Sequence, residues 1–372
     1  MSDKPEKPHQ SDDLGISPSR ISSPELRLEA QRAFVWTAIV GLTILAIYIS
    51  QSLLVIFGAM VLAAMIDGGA RIVGRVLPIR RIWRVALVLA AVFLFIYWLT
   101  IYAGSQISRE AAQLPTIVQQ QAAVTLAWLD GQGFAVDQAS IREISSNLIS
   151  GFGTVTRAIG GILGGFTTLL LIVIIGVYIA IEPKLYERGV AWMLPRHRRD
   201  DFYKTISQMA YTLRRLMAGR LVGMVFEGLF TWVMLAIVAP LVGIGTVPMA
   251  ALLAILTGLL AFVPNLGAIV SGVLMVLVGF SGGTDMGLYT IFVYFLVQNF
   301  DGYVIIPMIA RKTVDLAPAL VLSAQLIMGI LFGVLGLFLA DPALAMLKVA
   351  LERRAKRQEA SSESNEVAND GA

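Results

Sequence analysis

Read by hydrophobic pattern, the chain is a series of long apolar segments joined by short polar stretches. Eight such segments occur, at 34–50, 52–66, 85–103, 159–181, 221–242, 247–280, 287–309 and 317–340. Only Gln51 parts the first two, which therefore predict a tight helical pair or one long bent element. Segment 247–280 is interrupted by PNLG at 264–267, and segment 317–340 by the glycine-spaced run GILFGVLG at 329–336. Each half of 247–280 is about 15 residues, too short for a hydrocarbon core of ~30 Å at 1.5 Å per residue. The pattern predicts an all-α polytopic membrane protein with about six full spans and two broken, re-entrant hairpins.

The intervening stretches supply the domain plan. Residues 1–33 are Ser- and Pro-rich and carry charges of both signs, which predicts a disordered cytoplasmic tail without a cleavable signal. Residues 34–104 hold the N-terminal spans. The balanced, polar stretch 105–157, broken by GQG at 131–133, reads as an extracytoplasmic helical lobe. A span follows at 158–182, opening with GGILGG, whose Gly-xxx-Gly spacings allow a second helix to come close. Residues 183–220 carry nine Lys and Arg against three acids. Within them Phe202, Ile206, Met209, Leu213 and Leu216 draw one apolar stripe, suited to lipid or to a packed partner. A transport core at 221–342 and a cytoplasmic tail at 343–372 complete the plan.

Composition narrows the function. Of 372 residues 57% are apolar and 15% charged, and the mean hydropathy is +0.75, which excludes a soluble enzyme. There is no cysteine, and the two histidines, His9 and His197, sit in polar stretches. Thiol chemistry and intramembrane imidazole or metal chemistry are therefore excluded, and no metal or cofactor is expected. No phosphate-binding glycine loop is present, which excludes ATP-driven pumping by this chain. The net charge of +4 flanks apolar segments, so its expected partner is the bilayer and not nucleic acid.

Basic flanks also set orientation, giving a multi-pass inner-membrane protein with both termini cytoplasmic. Arg71, Arg75, Arg80, Arg81 and Arg84 form one such flank. If both broken segments are re-entrant, Arg311 and Lys312 also fall inside, and two units enter from opposite sides as an inverted repeat.

Four pieces resemble the autoinducer-2 exporter family, the PerM-like permeases. They are FVPNLGAIVSG (262–272), VYFLVQNFDGYVIIP (293–307), DLAP (315–318) and GILFGVLGLFLADP (329–342). Gln298, Pro307, Pro318, Gly333, Gly336 and Pro342 match the family pattern; Asp301 replaces its usual Glu, and Asp341 replaces a more usual apolar residue. The resemblance implies a homo-oligomeric secondary transporter. Members are tied to export of autoinducer-2 or to cation/proton exchange, so a small polar solute, a cation or a proton is the expected cargo.

Between 221 and 310 the charged residues are Glu227, Asp285 and Asp301, all acidic. An intramembrane carboxylate is costly unless paired, hydrated or protonated, so it marks a candidate pathway. Asp301 and Gln298 share a helix face, with Asn299 adjacent. Asp301 could instead pin a bend beside Gly302. Glu227 follows Gly219 and Gly223 on one face and could instead pair with Arg220. Asp285 reads as solvated and Asp341 as a helix-end residue. The breaks at Pro264, Asn265 and Gly267, and at Gly329, Gly333 and Gly336, would free backbone groups for a solute.

Overall fold

The computed structural model describes residues 24–131, 162–263, 265–300, 303 and 316–370. Among the described residues every regular element is helical: α1 (Pro24–Val76), α2 (Arg81–Gly131), α3 (Ile162–Ile181), α4 (Pro183–Trp192), α5 (Arg199–Trp232), α6 (Ala250–Leu260), α7 (Leu266–Ser281), α8 (Thr284–Phe300) and α9 (Pro318–Asp370). Four helical stretches are long and apolar enough to cross a bilayer: Leu28–Val76, Arg81–Trp98, Arg196–Leu241 and Pro318–Glu359. A fifth apolar pair, Thr167–Ile181 with Pro183–Trp192, is bent by 89°. Pro183 opens α4 at a position where its missing N–H costs nothing.

The two segments flanking Gln51 are one continuous helix, because a single Gln has ordinary helix propensity. The chain divides after Leu53 into two units. The first contains the early part of α1, with Phe34, Trp36, Ile47 and Tyr48 exposed. The second starts at Leu54 and carries the packed core.

Polar composition does not end α2 either. Its Ala- and Gln-rich continuation stays helical through Pro115 to Gly131, where GQG begins. Leu114 and Val118, which fall in the expected lobe, are buried with Leu253 of α6, Met275 and Val278 of α7 and Val293 of α8. Residues 132–161, the rest of the lobe and the start of GGILGG, lie outside the described residues.

Helix α5 organises the second unit. Beyond Trp232 it widens into a π-helical stretch, Val233–Val238, just before Pro240. The Met234 carbonyl accepts both the Ala239 N–H and, at 2.7 Å, the Tyr289 hydroxyl of α8. A widened turn has thus become a helix–helix contact. Lower on α5, Gly228 meets Gly258 of α6; a Cβ at Gly258 would lie 2.7 Å from the Met224 carbonyl. Of the apolar stripe, Leu213 is buried, together with the neighbouring Met217, in a cluster with Leu54, Val61 and Ala64 of α1, while Phe202, Ile206, Met209 and Leu216 are half-buried.

The Arg71–Arg84 flank is not left uncompensated. Asp67, 6% exposed, accepts from Arg71 (2.8 Å), Arg81 (2.5 Å) and Arg214 of α5 (3.2 Å). Arg81 also donates to the Ala180 carbonyl at the end of α3 (2.9 Å). One carboxylate therefore joins α1, α2 and α5, and Arg81 ties α3 to the same point.

Close helix contact predicts a graded glycine response. Gly258→Val should destabilise the detergent-solubilised protein by about 1–3 kcal/mol, because rigid backbone faces the new side chain. Gly189→Ala, with open space around it, should match or slightly exceed wild-type stability. Thermal unfolding of both variants checks this, and equal melting of the two would contradict the crossing.

Candidate functional site

Both broken segments are hairpins. In the first, the chain leaves α6 at Leu260 and returns as α7 from Leu266. Asn265 takes φ 62°, and the two limbs meet so closely that a Cβ on Gly267 would run into the Leu260 carbonyl. Glycine is required there because backbone occupies the side-chain position.

The second reversal lies inside α9, at Gly333 (φ 62°, ψ −143°), a conformation open to glycine and strained for other residues. A Cβ on Gly336 would strike the Met328 carbonyl, and one on Gly329 would sit 2.9 Å from Leu337. Pro318 starts the outgoing limb. The limbs of the first hairpin are short: α6 and α7 have 11 and 16 residues, spanning about 16 and 24 Å.

The two turns converge. Phe262, at the first, packs at a tilt of 32° against Phe338, on the returning limb of the second, with centroids 4.8 Å apart. Met328, Phe332 and Leu335 pack with Phe262 onto the Leu213–Met217 face of α5.

Beside this apolar contact lies a buried polar centre. Arg220 of α5 donates to Asp341 Oδ2 at 2.6 Å, and Gln325 Nε2 donates to Asp341 Oδ1 at 3.1 Å. Asp341 is 5% exposed and Gln325 1%. In an unbroken helix those two residues would stand about 24 Å apart. Only the fold-back at Gly333 brings them together. Turning the Gln325 amide over would aim its oxygen at the carboxylate, so Asp341 fixes its orientation. Gln325 Oε1 consequently has no hydrogen-bond partner among the described residues. A neutral ion pair with one spare acceptor can receive a hydroxyl or another hydrogen-bond donor.

The residues singled out by sequence divide among several places. Glu227 is buried on α5, one residue before the Gly228 crossing, whereas Arg220 is engaged by Asp341. On this helix Gly228 makes the close approach to α6. Gln298 is half-buried on α8, and its Nε2 has no hydrogen-bond partner among the described residues. Asn299 is exposed and donates to the Phe295 carbonyl at 2.7 Å. Next to them Phe300 stacks on Phe226 of α5 at 4.9 Å and on Phe230 at 5.6 Å. Asp301, Pro264 and Pro307 lie outside the described residues, as do Arg311 and Lys312. Asp341 is not at a helix end: it lies within α9, followed by Pro342. Sequence reading passed over Gln325, although a lone amide in the run ALVLSAQLIMG was a signal.

Comparison with known proteins now adds to this geometry. The model of the AI-2E family transporters matches residues 36–356. The chain belongs to the AI-2E transporter family. It is 24% identical over 247 residues to YueF of Bacillus subtilis, covering 63% of this chain and 65% of that one. It is 27% identical over 217 residues to a Thermotoga maritima protein, covering 56% and 62%. Over a shorter stretch of 107 residues it is 33% identical to MT0215 of Mycobacterium tuberculosis, covering 28% and 29%. The names of all three assign them provisionally to transport. The chain thus spans a little under two thirds of the length of the first two. Family and apolar helices together make it a multi-pass membrane protein.

The polar centre predicts strong coupling. Asp341→Leu should cost about 3 kcal/mol, because it leaves the Arg220 guanidinium partly buried without its acid. Arg220→Met should cost a similar amount, and the double variant should recover most of the loss. Unfolding titrations in detergent provide the cycle; strictly additive losses would contradict the pairing.

Proposed function

We propose that this chain is a secondary transporter that exports a small polar solute, with a hydroxylated signal of the autoinducer-2 type as the leading candidate. The observation carrying this reading is the convergence of two hairpin turns, Phe262 against Phe338, beside the buried Arg220–Asp341–Gln325 centre. Broken helices meeting in an apolar interior offer backbone and side-chain hydrogen bonds at a depth where lipid supplies none. Movement of one hairpin against the other would expose that polar surface to one side and then the other. Gln298, Asn299, Glu227 and Asp301 complete the pathway in this reading, with Asp301 carrying the charge that family resemblance puts at a motif position.

The arrangement we propose has both hairpins re-entrant from opposite sides, both termini cytoplasmic, and several copies of the chain assembled together. The absence of cysteine makes topology directly testable. Arg311→Cys should react with a membrane-impermeant thiol reagent only from the cytoplasmic side, and reaction only from outside would overturn the hairpin arrangement.

Flux in proteoliposomes tests the transport claim. Autoinducer-2-like sugars should move faster than in protein-free vesicles, while Na⁺ under an imposed proton gradient should not. Asp301→Asn should fold and lose about tenfold or more of the flux, Asp301→Glu should keep most of it, and Gln298→Ala should lose less than Asp301→Asn. The charge change removes an interaction worth at least 1.4 kcal/mol, which is that factor of ten. Wild-type flux of the sugars at the protein-free level would sink the proposal.

A further inference from the structure

A second polar site lies away from the hairpins, between the N-terminal part of α5 and the late part of α9. It is a groove of about 570 Å³, open to one side. Tyr203, Ser207, Tyr211 and Arg214 repeat at 4, 4, 3 spacing along one face of α5, with Lys204 and Gln208 beside them. Arg353 of α9 closes the opposite wall. Three cations thus converge on one groove, and none of its lining residues is acidic.

The available acids do not offset that charge. Asp67 holds Arg214 but divides its carboxylate among three arginines. Asp201 is bonded to Arg357 at 3.1 Å and stays 4.0 Å from Arg353. Arg353 Nε and Nη2 are covered from solvent and lack a hydrogen-bond partner. A covered guanidinium edge without an acceptor is costly and calls for an anion. A single carboxylate would leave most of the three positive charges uncompensated. A phosphate spreads up to two negative charges over several oxygens, which suits a planar Arg fork, a Lys point charge and hydroxyl donors together.

We propose that this groove binds a phosphate group, held by Lys204, Arg214 and Arg353 with Tyr and Ser hydroxyls as further donors. The phosphate could belong to an anionic lipid headgroup or to a soluble phosphorylated molecule; the chemistry at the groove is the same. Its position joins α5, the helix that carries both buried ion pairs, to the returning part of α9. Occupancy would therefore hold the second hairpin's supporting helix against α5.

The test uses the full chain in two arms. In one, protein is reconstituted in phosphatidylcholine vesicles doped with phosphatidylglycerol, and retained lipid is counted by native mass spectrometry after extraction. In the other, pyrophosphate is titrated onto protein in pure phosphatidylcholine nanodiscs while thermal unfolding is followed. Saturable binding in either arm is expected, the lipid arm alone identifying a headgroup and the pyrophosphate arm a soluble ligand. Arg353→Gln and Lys204→Gln should each weaken it about tenfold, whereas Arg188→Gln, the same charge change outside the groove, should leave it unaltered. Lys204 is exposed, so its replacement keeps the test valid even if Arg353→Gln folds poorly. Absence of binding in both arms, or equal weakening by Arg188→Gln, would overturn the proposal.

Discussion

A carboxylate buried in an apolar protein must be compensated, and that requirement decides how the second hairpin is held. Asp341 satisfies it with a guanidinium from α5 and an amide from its own hairpin's other limb. In a bilayer the hydrophobic effect does not distinguish a helix neighbour from a lipid tail. Position must then come from directional polar contacts and from glycines that let backbones touch. Both devices converge on α5. Arg220 binds Asp341, Arg214 binds Asp67, and Gly228 admits α6. The first hairpin is thus placed by close packing, the second by charge.

That difference bears on motion. The Gly228–Gly258 crossing makes many short-range contacts, and separating it would sacrifice all of them together. The second hairpin is held by the directional Arg220–Asp341 pair, whose groups could exchange protein partners for water or solute, together with the apolar packing of Met328, Phe332 and Leu335. Its Gly333 turn supplies the local backbone freedom such a movement would use.

The hairpins were legible in the sequence because their signals are local. Proline and glycine interrupt apolar runs at 264–267 and 329–336, and the half-segments are too short to cross. Two other features were not legible, for opposite reasons. Helix α2 outlasts its apolar run because Ala- and Gln-rich sequence sustains a helix with or without lipid around it, so polarity marked a composition change and not an element boundary. The pairing of Arg220 with Asp341 spans 121 residues, and no local pattern can announce it. Proximity along one helix suggested Glu227 as the partner of Arg220. Proline after Asp341 suggested a helix end, although the helix continues through Pro342. The arginines at 71 and 81 similarly looked acid-free because their partner, Asp67, lies just before the basic stretch.

The central claim is that the two hairpin turns meet and must part for solute to pass. Phe262 and Phe338, whose ring centroids lie 4.8 Å apart, offer a direct probe in a chain that has no cysteine of its own. In the double variant Phe262→Cys and Phe338→Cys, a short thiol-reactive cross-linker should join the two positions in proteoliposomes. Flux should stop on cross-linking and return when a cleavable linker is reduced, with both single variants unaffected by the reagent. Quantitative cross-linking with undiminished flux would contradict the account.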